Sequence, residues 1–242
     1  MSMTSHMNLE NKSDPVEIAI EEYYSGYLDT ELIVNNNYGK PESYPVKYFF
    51  RNEYDMPDIE KYTLSLCRGR ILDIGSGTGP HSLLLQRSGM DVTAIDNSQA
   101  MASVLLKNGI KKIICDDIFN FQCQNYDTAM LLMNGIGIVG TISMFQTFLK
   151  KMELVLHLDG QILFDSTDIS YVYGSRAKKL GNKDYFGEVK FQFQYKLNKG
   201  AWFNWLYIDR NTLLDICKTT NWKVQIIFEN NNGQYLSRLV RK

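Results

Sequence analysis

A chain of 242 residues with 44% hydrophobic content has room for one α/β domain with accessory segments, or for two small domains. Its 26 basic and 27 acidic residues leave a formal net charge of -1, which argues against a general binder of nucleic acid or anionic membrane, since both require a basic face. The four cysteines (Cys67, Cys115, Cys123, Cys217) form no CxxC pair and no metal-ligand spacing, and no signal peptide is visible, so a reduced cytoplasmic setting without a bound metal is expected.

In chain order, the opening "MSMTSHM", His6 included, reads as a leader left by cloning, and residues 1–13 are set apart from the fold. Residues 14–60 are expected to form an N-terminal lid. The stretch 14–58 holds four of the five prolines (Pro15, Pro41, Pro45, Pro57) and nine aromatics from Tyr23 to Tyr54. Tyr23 and Tyr27 share one helix face at i, i+4, and Tyr48 and Arg51 share another if their segment is helical.

A domain spanning 61–242 follows, in which strand-like and helix-like segments alternate from about residue 70. "RILDIG" (70–75) is a short apolar strand. "PHSLLLQRSG" (80–89) is a helix with Pro80 at its first position, where a missing N–H costs nothing, and Gly89 past its end. "DVTAID" (91–96) is a second strand, and Ser98 caps a helix running to Asn108. "KKIICDD" (111–117) and "YDTAMLLM" (126–133) are the third and fourth strands. A long helix from Thr141 to Leu158, stopped by Gly160 with His157 in its last turn, leads to a fifth strand, "QILFDS" (161–166). Residues 128–149 carry no charge and could span a bilayer by length. Asn134, three glycines and Gln146 favour a buried strand, a loop and a new helix instead.

Residues 171–207 hold eleven further aromatics, the alternating run "EVKFQFQYKL" and a turn at Asn198-Lys199-Gly200, and are expected to form an inserted β-hairpin. A helix around Arg210–Thr220 precedes "WKVQIIFE" (222–229), the turn "NNNG" (230–233) and "QYLSRLV" (234–240). The Asn-Gly turn between two strand-like runs signals a hairpin, so the last strand should be antiparallel. The fold class is therefore α/β: a Rossmann-like parallel sheet with an antiparallel C-terminal hairpin strand, an N-terminal lid and an inserted hairpin.

The stretch "RILDIGSGTG" carries the chemistry. Three alternating glycines at the hand-over from strand to helix are costly to order unless backbone must turn sharply or come close to a ligand. In open parallel sheets ligands bind beyond the carboxyl ends of the strands. Asp96, ending the second strand, can accept both hydroxyls of a ribose, and Asp117, ending the third, can meet an adenine amine. A dinucleotide fingerprint is G-x-G-x-x-G, whereas Gly75, Gly77 and Gly79 give G-x-G-x-G followed at once by Pro80. Asp73 would repel a pyrophosphate and suits a cationic ligand.

"ILDIGSGTG" resembles the first motif of class I S-adenosylmethionine-dependent methyltransferases. "VTAID" is similar to their second-strand acid, "CDDIF" to their adenine site, and the closing hairpin to their antiparallel seventh strand. "LLMNGIGIVGT" and "GQILFDSTDI" are similar to a bacterial group of these enzymes whose substrates are unassigned. The resemblance implies S-adenosyl-L-methionine as cofactor. Its contacts would come from Gly75, Gly77, Asp96, Asn97, Asp117 and Ile118, with Asn134 behind the methyl group. Read from the residues themselves, Asp73, Ser76 and Gly79 of the same turn are further cofactor candidates, as are Tyr24 and Arg51 of the lid; Arg51 suits the cofactor's carboxylate or an acidic substrate, and is otherwise a solvated surface arginine. The Asn/Asp-Pro-Pro-aromatic motif of DNA amino-methyltransferases is missing, since Met133-Asn134-Gly135-Ile136 stands there.

Methyl transfer is an in-line displacement, and aligning the partners can lower its barrier by roughly 7–11 kcal/mol. A base is needed only for some acceptors, and His81 and Asp168 are the candidates, with Asp165 at the same mouth. Alternatively His81 is a helix residue touching cofactor or backbone, and Asp168 a turn or cap residue. The expected function is methylation of a small molecule, aromatic or amphipathic, without a nucleic-acid or membrane partner. The alternatives are a peptide or protein methyltransferase and a cofactor-binding module without catalysis; a nicotinamide oxidoreductase is disfavoured by the glycine spacing.

Overall fold

The computed structural model describes residues 14–174 and 185–242; the leader and residues 175–184 of the expected insert lie outside the described residues. The chain runs α1 (Pro15–Tyr24), β1 (Glu31–Asn36), β2 (Glu42–Pro45), a 3-10 turn (Val46–Phe50), α2 (Asp58–Leu66), β3 (Arg70–Ile74), α3 (Pro80–Arg87), β4 (Asp91–Asp96), α4 (Gln99–Lys107) and β5 (Ile113–Cys115). It continues with β6 (Tyr126–Leu131), a second 3-10 turn (Gly135–Val139), α5 (Ile142–Val155), β7 (Leu156–Thr167), α6 (Ser170–Tyr173), β8 (Glu188–Tyr195), β9 (Asn198–Lys199), β10 (Phe203–Leu206), α7 (Arg210–Lys218), β11 (Trp222–Glu229) and β12 (Gln234–Arg241).

The larger sheet has the order β11-β12-β7-β6-β3-β4-β5. Strands β5, β4, β3, β6 and β7 are parallel, whereas β12 runs antiparallel to both β7 and β11. The central parallel strands β3 and β6 are covered on both faces and are buried over nearly their whole length. In β3, Leu72 and Ile74 pack toward Phe145, Phe148 and Trp222, while Ile71 packs the opposite way with Leu85 and Val92. Caps fix the helix starts: Ser98 Oγ accepts from the Met101 N–H at 3.3 Å and Thr141 Oγ1 from the Met144 N–H at 3.2 Å.

Three local expectations are corrected. Helix α5 stops at Val155 and β7 begins at Leu156, because Leu156 pairs with Tyr126 and takes extended backbone. His157 therefore lies in a strand, and Gly160 marks a close approach, its absent Cβ falling 2.9 Å from the His157 carbonyl oxygen. The turn of the insert lies at Lys196-Leu197, with Tyr195 paired to Asn198, and not at Asn198-Lys199-Gly200. The third strand is confined to Ile113–Cys115. Among the described residues no helix is long and apolar enough to cross a membrane, and 128–149 divides into β6, the second 3-10 turn and α5.

The front segment and the insert are one structure. A second, antiparallel sheet has the order β10-β8-β1-β2, with β9 added to β8. Strand β1 from the front segment pairs with β8 from the insert, Val34 opposite Phe193 and Asn36 opposite Phe191. Helix α1 buries Ala19 and Ile20 in a cluster with Leu32, Met101, Val104 and Tyr195, which ties this sheet to α4 of the larger domain.

Candidate active site

In the larger sheet the chain leaves β3 for β4 on one side and returns to β6 on the other, so the strand order reverses at β3, where open α/β sheets place their ligands. Gly75, Gly77 and Gly79 follow β3 with φ of 69°, 56° and 83°, all left-handed backbone in which a side chain is strained. A Cβ on Gly77 would meet nothing within 4 Å, so the glycine there serves the turn and leaves open space beside it. A Cβ on Gly79 would fall 2.5 Å from Leu105 Cδ2. Gly79 lines neither cavity of the site; it shapes the entry to α3 and lets that helix pack on α4.

Two adjoining cavities open around this turn. The smaller, about 400 Å³, is lined by Gly75, Gly77, Asp96, Asn97, Asp117 and Ile118, among others. Asp96 accepts from the Gly77 N–H at 2.9 Å and from the Ser98 N–H at 3.0 Å, one bond to each oxygen, so both oxygens retain acceptor capacity. Burial pushes its carboxyl above the usual carboxylate range, against those two hydrogen bonds. Asp117 is exposed and accepts from the Phe119 N–H at 2.9 Å, while Ile118 beside it is buried.

The larger cavity, about 470 Å³, is lined by Arg51, Asp73, Gly75, Ser76, Gly77, His81 and Asn134 together with Tyr44, Phe191 and Trp205 of the second sheet and Tyr207 just past β10. Asp73 is buried and accepts from Ser82 Oγ at 2.6 Å, with burial raising its carboxyl. His81 Nε2 lies 2.7 Å from Glu60 Oε2, and the other oxygen of Glu60 faces Arg51 at 3.2 Å. Asn134 lies just after β6 in left-handed backbone, φ 55°, following Met133 at 62°. That turn is fastened by Asp165, whose two oxygens accept from the Asn134 N–H at 3.0 and 2.9 Å and which also accepts from Gln234 Nε2 at 2.8 Å. Burial pushes the Asp165 carboxyl up to about 6.

Besides Gly79, two further expected site residues are placed elsewhere. Tyr24 lines neither cavity; its hydroxyl donates to Asn108 Oδ1 and its ring meets Phe50 edge-on. Asp168 also lines neither, and accepts from the Ser170 N–H at 2.8 Å as a turn residue. Glu60 carried no sequence signal, because one acid in the charged run "PDIEKY" cannot be told from a solvated face. Gln234 hid in a hairpin strand for the same reason.

Glycine backbone at the switch point, a carboxylate that can take a ribose and a buried acid suited to a cation together define a Rossmann-like nucleoside pocket for a positively charged cofactor. A methyltransferase-domain family model matches residues 72–164. A SAM-dependent methyltransferase from Bacteroides fragilis, solved in complex with S-adenosyl-L-homocysteine, is 36% identical, covers 95% of this chain and 95% of its own, and superposes with a TM-score of 0.87. The chain belongs to the class I S-adenosylmethionine-dependent methyltransferases, and S-adenosylmethionine is its cofactor. A methyltransferase from Clostridium acetobutylicum (14% identity, 78% of this chain and 93% of its own, TM-score 0.55) shares the fold. So does CalS10, an amino pentose methyltransferase from Micromonospora echinaspora (13% identity, 76% of this chain and 89% of its own, TM-score 0.51). No curated protein matches the chain.

The residues present fit that cofactor. Gly77 leaves open space, Asp96 retains acceptor capacity, and Arg51 Nε is buried without a hydrogen-bond partner among the described residues. When bound, S-adenosylmethionine supplies a methyl group activated by a sulfonium.

Proposed function

We propose that this methyltransferase acts on a small molecule, aromatic or amphipathic, enclosed between the two sheets. The observation that carries the reading is the larger cavity itself. Its volume of about 470 Å³ is walled by Tyr44, Phe191, Trp205 and Tyr207 on one side and by Leu132, Met133 and Asn134 on the other. Ligand sites for small molecules are concave, mostly apolar and of this size, with a few polar groups to fix orientation. Here those groups are Asn134, Gln234 and His81. A near-neutral chain supports leaving nucleic acid and anionic membranes out of the reading. The free thiols of Cys67, Cys115, Cys123 and Cys217 support a cytoplasmic location.

In this reading the cofactor is held by Asp96, Asn97, Asp117 and Ile118 at its nucleoside and by Asp73, Gly75, Ser76, Gly77 and Arg51 at its amino-acid end. The aromatic wall excludes water and aligns the acceptor. Of the two proton acceptors expected from the sequence, His81 lines the cavity and Asp168 does not, so His81 takes the proton of an acceptor that must lose one. The test is incubation with methyl-labelled S-adenosylmethionine and, separately, a metabolite extract and a protein extract. Label is expected in a small molecule. Label confined to polypeptide supports the peptide alternative, and label nowhere supports a binding module; either outcome ends this reading.

A further inference from the structure

Six aromatic rings from the smaller sheet and its margin wall the larger cavity: Tyr44 on β2, Phe191 and Phe193 on β8, Phe203 and Trp205 on β10, and Tyr207 just beyond. Phe193, Phe203 and Trp205 also line the smaller cavity, where the nucleoside is placed, whereas Tyr44, Phe191 and Tyr207 do not. These last three belong to the acceptor's side. The rings brace one another: Phe191 meets Tyr207 edge-on with centroids 6.3 Å apart, and Trp205 meets Phe203 edge-on at 6.2 Å. Such packing fixes their planes in advance. Burial, and after it Tyr38 and the exposed Glu42, hold the Tyr207 phenol above its ordinary range, so the ring stays protonated and neutral. Burial does the same for Tyr44.

The charges of the cavity are already matched. Glu60 faces Arg51 at 3.2 Å and His81 Nε2 at 2.7 Å, and buried Asp73 suits the ammonium of the cofactor. An anionic acceptor would have to share Arg51 with Glu60 and with the cofactor's carboxylate, and buried charges are costly unless closely paired. A neutral alcohol would have to lose its proton as the new bond forms. A neutral amine escapes both demands. Its lone pair takes the methyl carbon, and the electron pair of the broken carbon–sulfur bond stays with sulfur. The positive charge thereby passes from sulfur to nitrogen, and the resulting ammonium releases its proton afterwards to His81. The face of an aromatic ring attracts a cation, most strongly where water is kept out. An attraction that grows as nitrogen gains charge favours the transition state over the bound amine. We propose that the acceptor is a small apolar amine methylated on nitrogen, and that Tyr44, Phe191 and Tyr207 stabilise the positive charge gathering there. The inference rests on the small-molecule reading and adds the acceptor atom to it.

The experiment supplies S-adenosylmethionine with a heavy-carbon methyl group to the full chain in a metabolite extract. The methyl resonance of the product separates N-, O-, S- and C-methyl groups before the product is identified. An N-methyl signal in a small molecule is expected. An O-, S- or C-methyl signal there overturns the amine and leaves the small-molecule reading standing, whereas label only in polypeptide, or nowhere, ends both. Variants then test the wall. Tyr207→Leu should slow labelling at least about tenfold, with S-adenosylhomocysteine affinity in calorimetry held within threefold, and Tyr207→Phe, which restores the ring, should recover most of the loss. An unchanged rate in Tyr207→Leu would remove the ring from the chemistry, and an equal fall in S-adenosylhomocysteine affinity would show mere packing. If Tyr207→Leu fails to fold, the parent saturated with S-adenosylhomocysteine is titrated with benzyltrimethylammonium and with neopentylbenzene, its uncharged isostere. The cation should bind at least about tenfold tighter; equal affinities, or a preference for the neutral probe, would overturn the proposal.

Discussion

Trp205 fills the space that a side chain at Gly137 would need: a Cβ there would fall 2.0 Å from Trp205 Cε2. This contact seats β10 of the smaller sheet on the 3-10 turn after β6, and the next residue, Ile138, lines both cavities. Gly137 does not have left-handed backbone, so the demand for glycine is steric. Overpacking a well-filled contact costs about 1–3 kcal/mol. Gly137→Ala should lower unfolding stability by that amount in urea and weaken S-adenosylhomocysteine binding in calorimetry. A variant as stable as the parent, with unchanged affinity, would mean the seat yields freely.

Asp96 serves the turn and the cofactor together. Its oxygens accept from the N–H groups of Gly77 and Ser98, and their remaining lone pairs face the smaller cavity. Hydrogen bonds to a charged group are worth about 1.5–3 kcal/mol each. Asp96→Ala should therefore weaken S-adenosylmethionine at least about tenfold, equivalent to roughly 1.4 kcal/mol, and lower stability somewhat. Far-UV circular dichroism separates the two effects; an unchanged dissociation constant in a folded variant would remove Asp96 from the site.

Asp165 sets a pH dependence of stability. Its folded-state carboxyl, pushed up to about 6 by burial, lies above the ordinary aspartate value. The native state therefore holds this proton more tightly than the unfolded chain. Its contribution to stability is full below roughly pH 4 and is lost as pH rises through about 6. Asp165→Asn cannot ionise, so the difference in unfolding free energy between parent and variant should change across that window and be flat above it. Buried Asp73 and Asp96, also raised, contribute with the same sign and leave part of the parent's slope in place. A difference independent of pH between 4 and 7 would place the titration elsewhere.

Tyr24 belongs to packing. Its hydroxyl donates to Asn108 Oδ1, and Asn108 Nδ2 donates to the Thr78 carbonyl at 2.7 Å, so it touches the glycine turn only at second hand. Tyr24→Phe should cost about 0.5–1.5 kcal/mol of stability and leave cofactor affinity within threefold. A larger loss of affinity would return Tyr24 to the site.

What was legible in the sequence depended on whether the signal was local. The glycine turn, Pro80, the Ser98 cap and Asp96 are each written into a few neighbouring residues, because backbone conformation and capping are short-range demands. The start of β7 is not legible: in "MELVLHLDG" the good helix formers Met152, Glu153, Leu154, Leu156 and Leu158 run past the boundary, and the pairing of Leu156 with Tyr126 ends the helix at Val155. Nor was Glu60, whose role exists only because three distant elements converge on it. The two aromatic-rich segments were legible as extra-core pieces, but their union into one sheet was not. Val34 and Phe193 are opposite each other across 159 residues of sequence, and no local pattern encodes that pairing.

That union leads to the last prediction. Strand β1 is an inner strand of the smaller sheet, paired on one side with β2 and on the other with β8. Removing residues 1–45 would therefore do more than open a mouth. It would strip β1 from β8 and uncover the cluster in which Ala19, Ile20 and Leu32 meet Met101 and Val104. Freshly unpaired strand edges and exposed apolar surface favour aggregation. The truncated chain is expected to lose cofactor binding and self-associate, although the larger sheet begins only at Arg70. Since Phe193, Phe203 and Trp205 line both cavities beside Gly75 and Gly77, a cofactor lying there touches β8 and β10 directly and β1 through its pairing. Amide exchange should slow on addition of S-adenosylhomocysteine in residues 31–36 and 188–195 together, by similar factors, as expected of one cooperative unit. Slowing in 188–195 alone would show that the front segment opens independently of the insert. No slowing in either would show that the smaller sheet is indifferent to the cofactor.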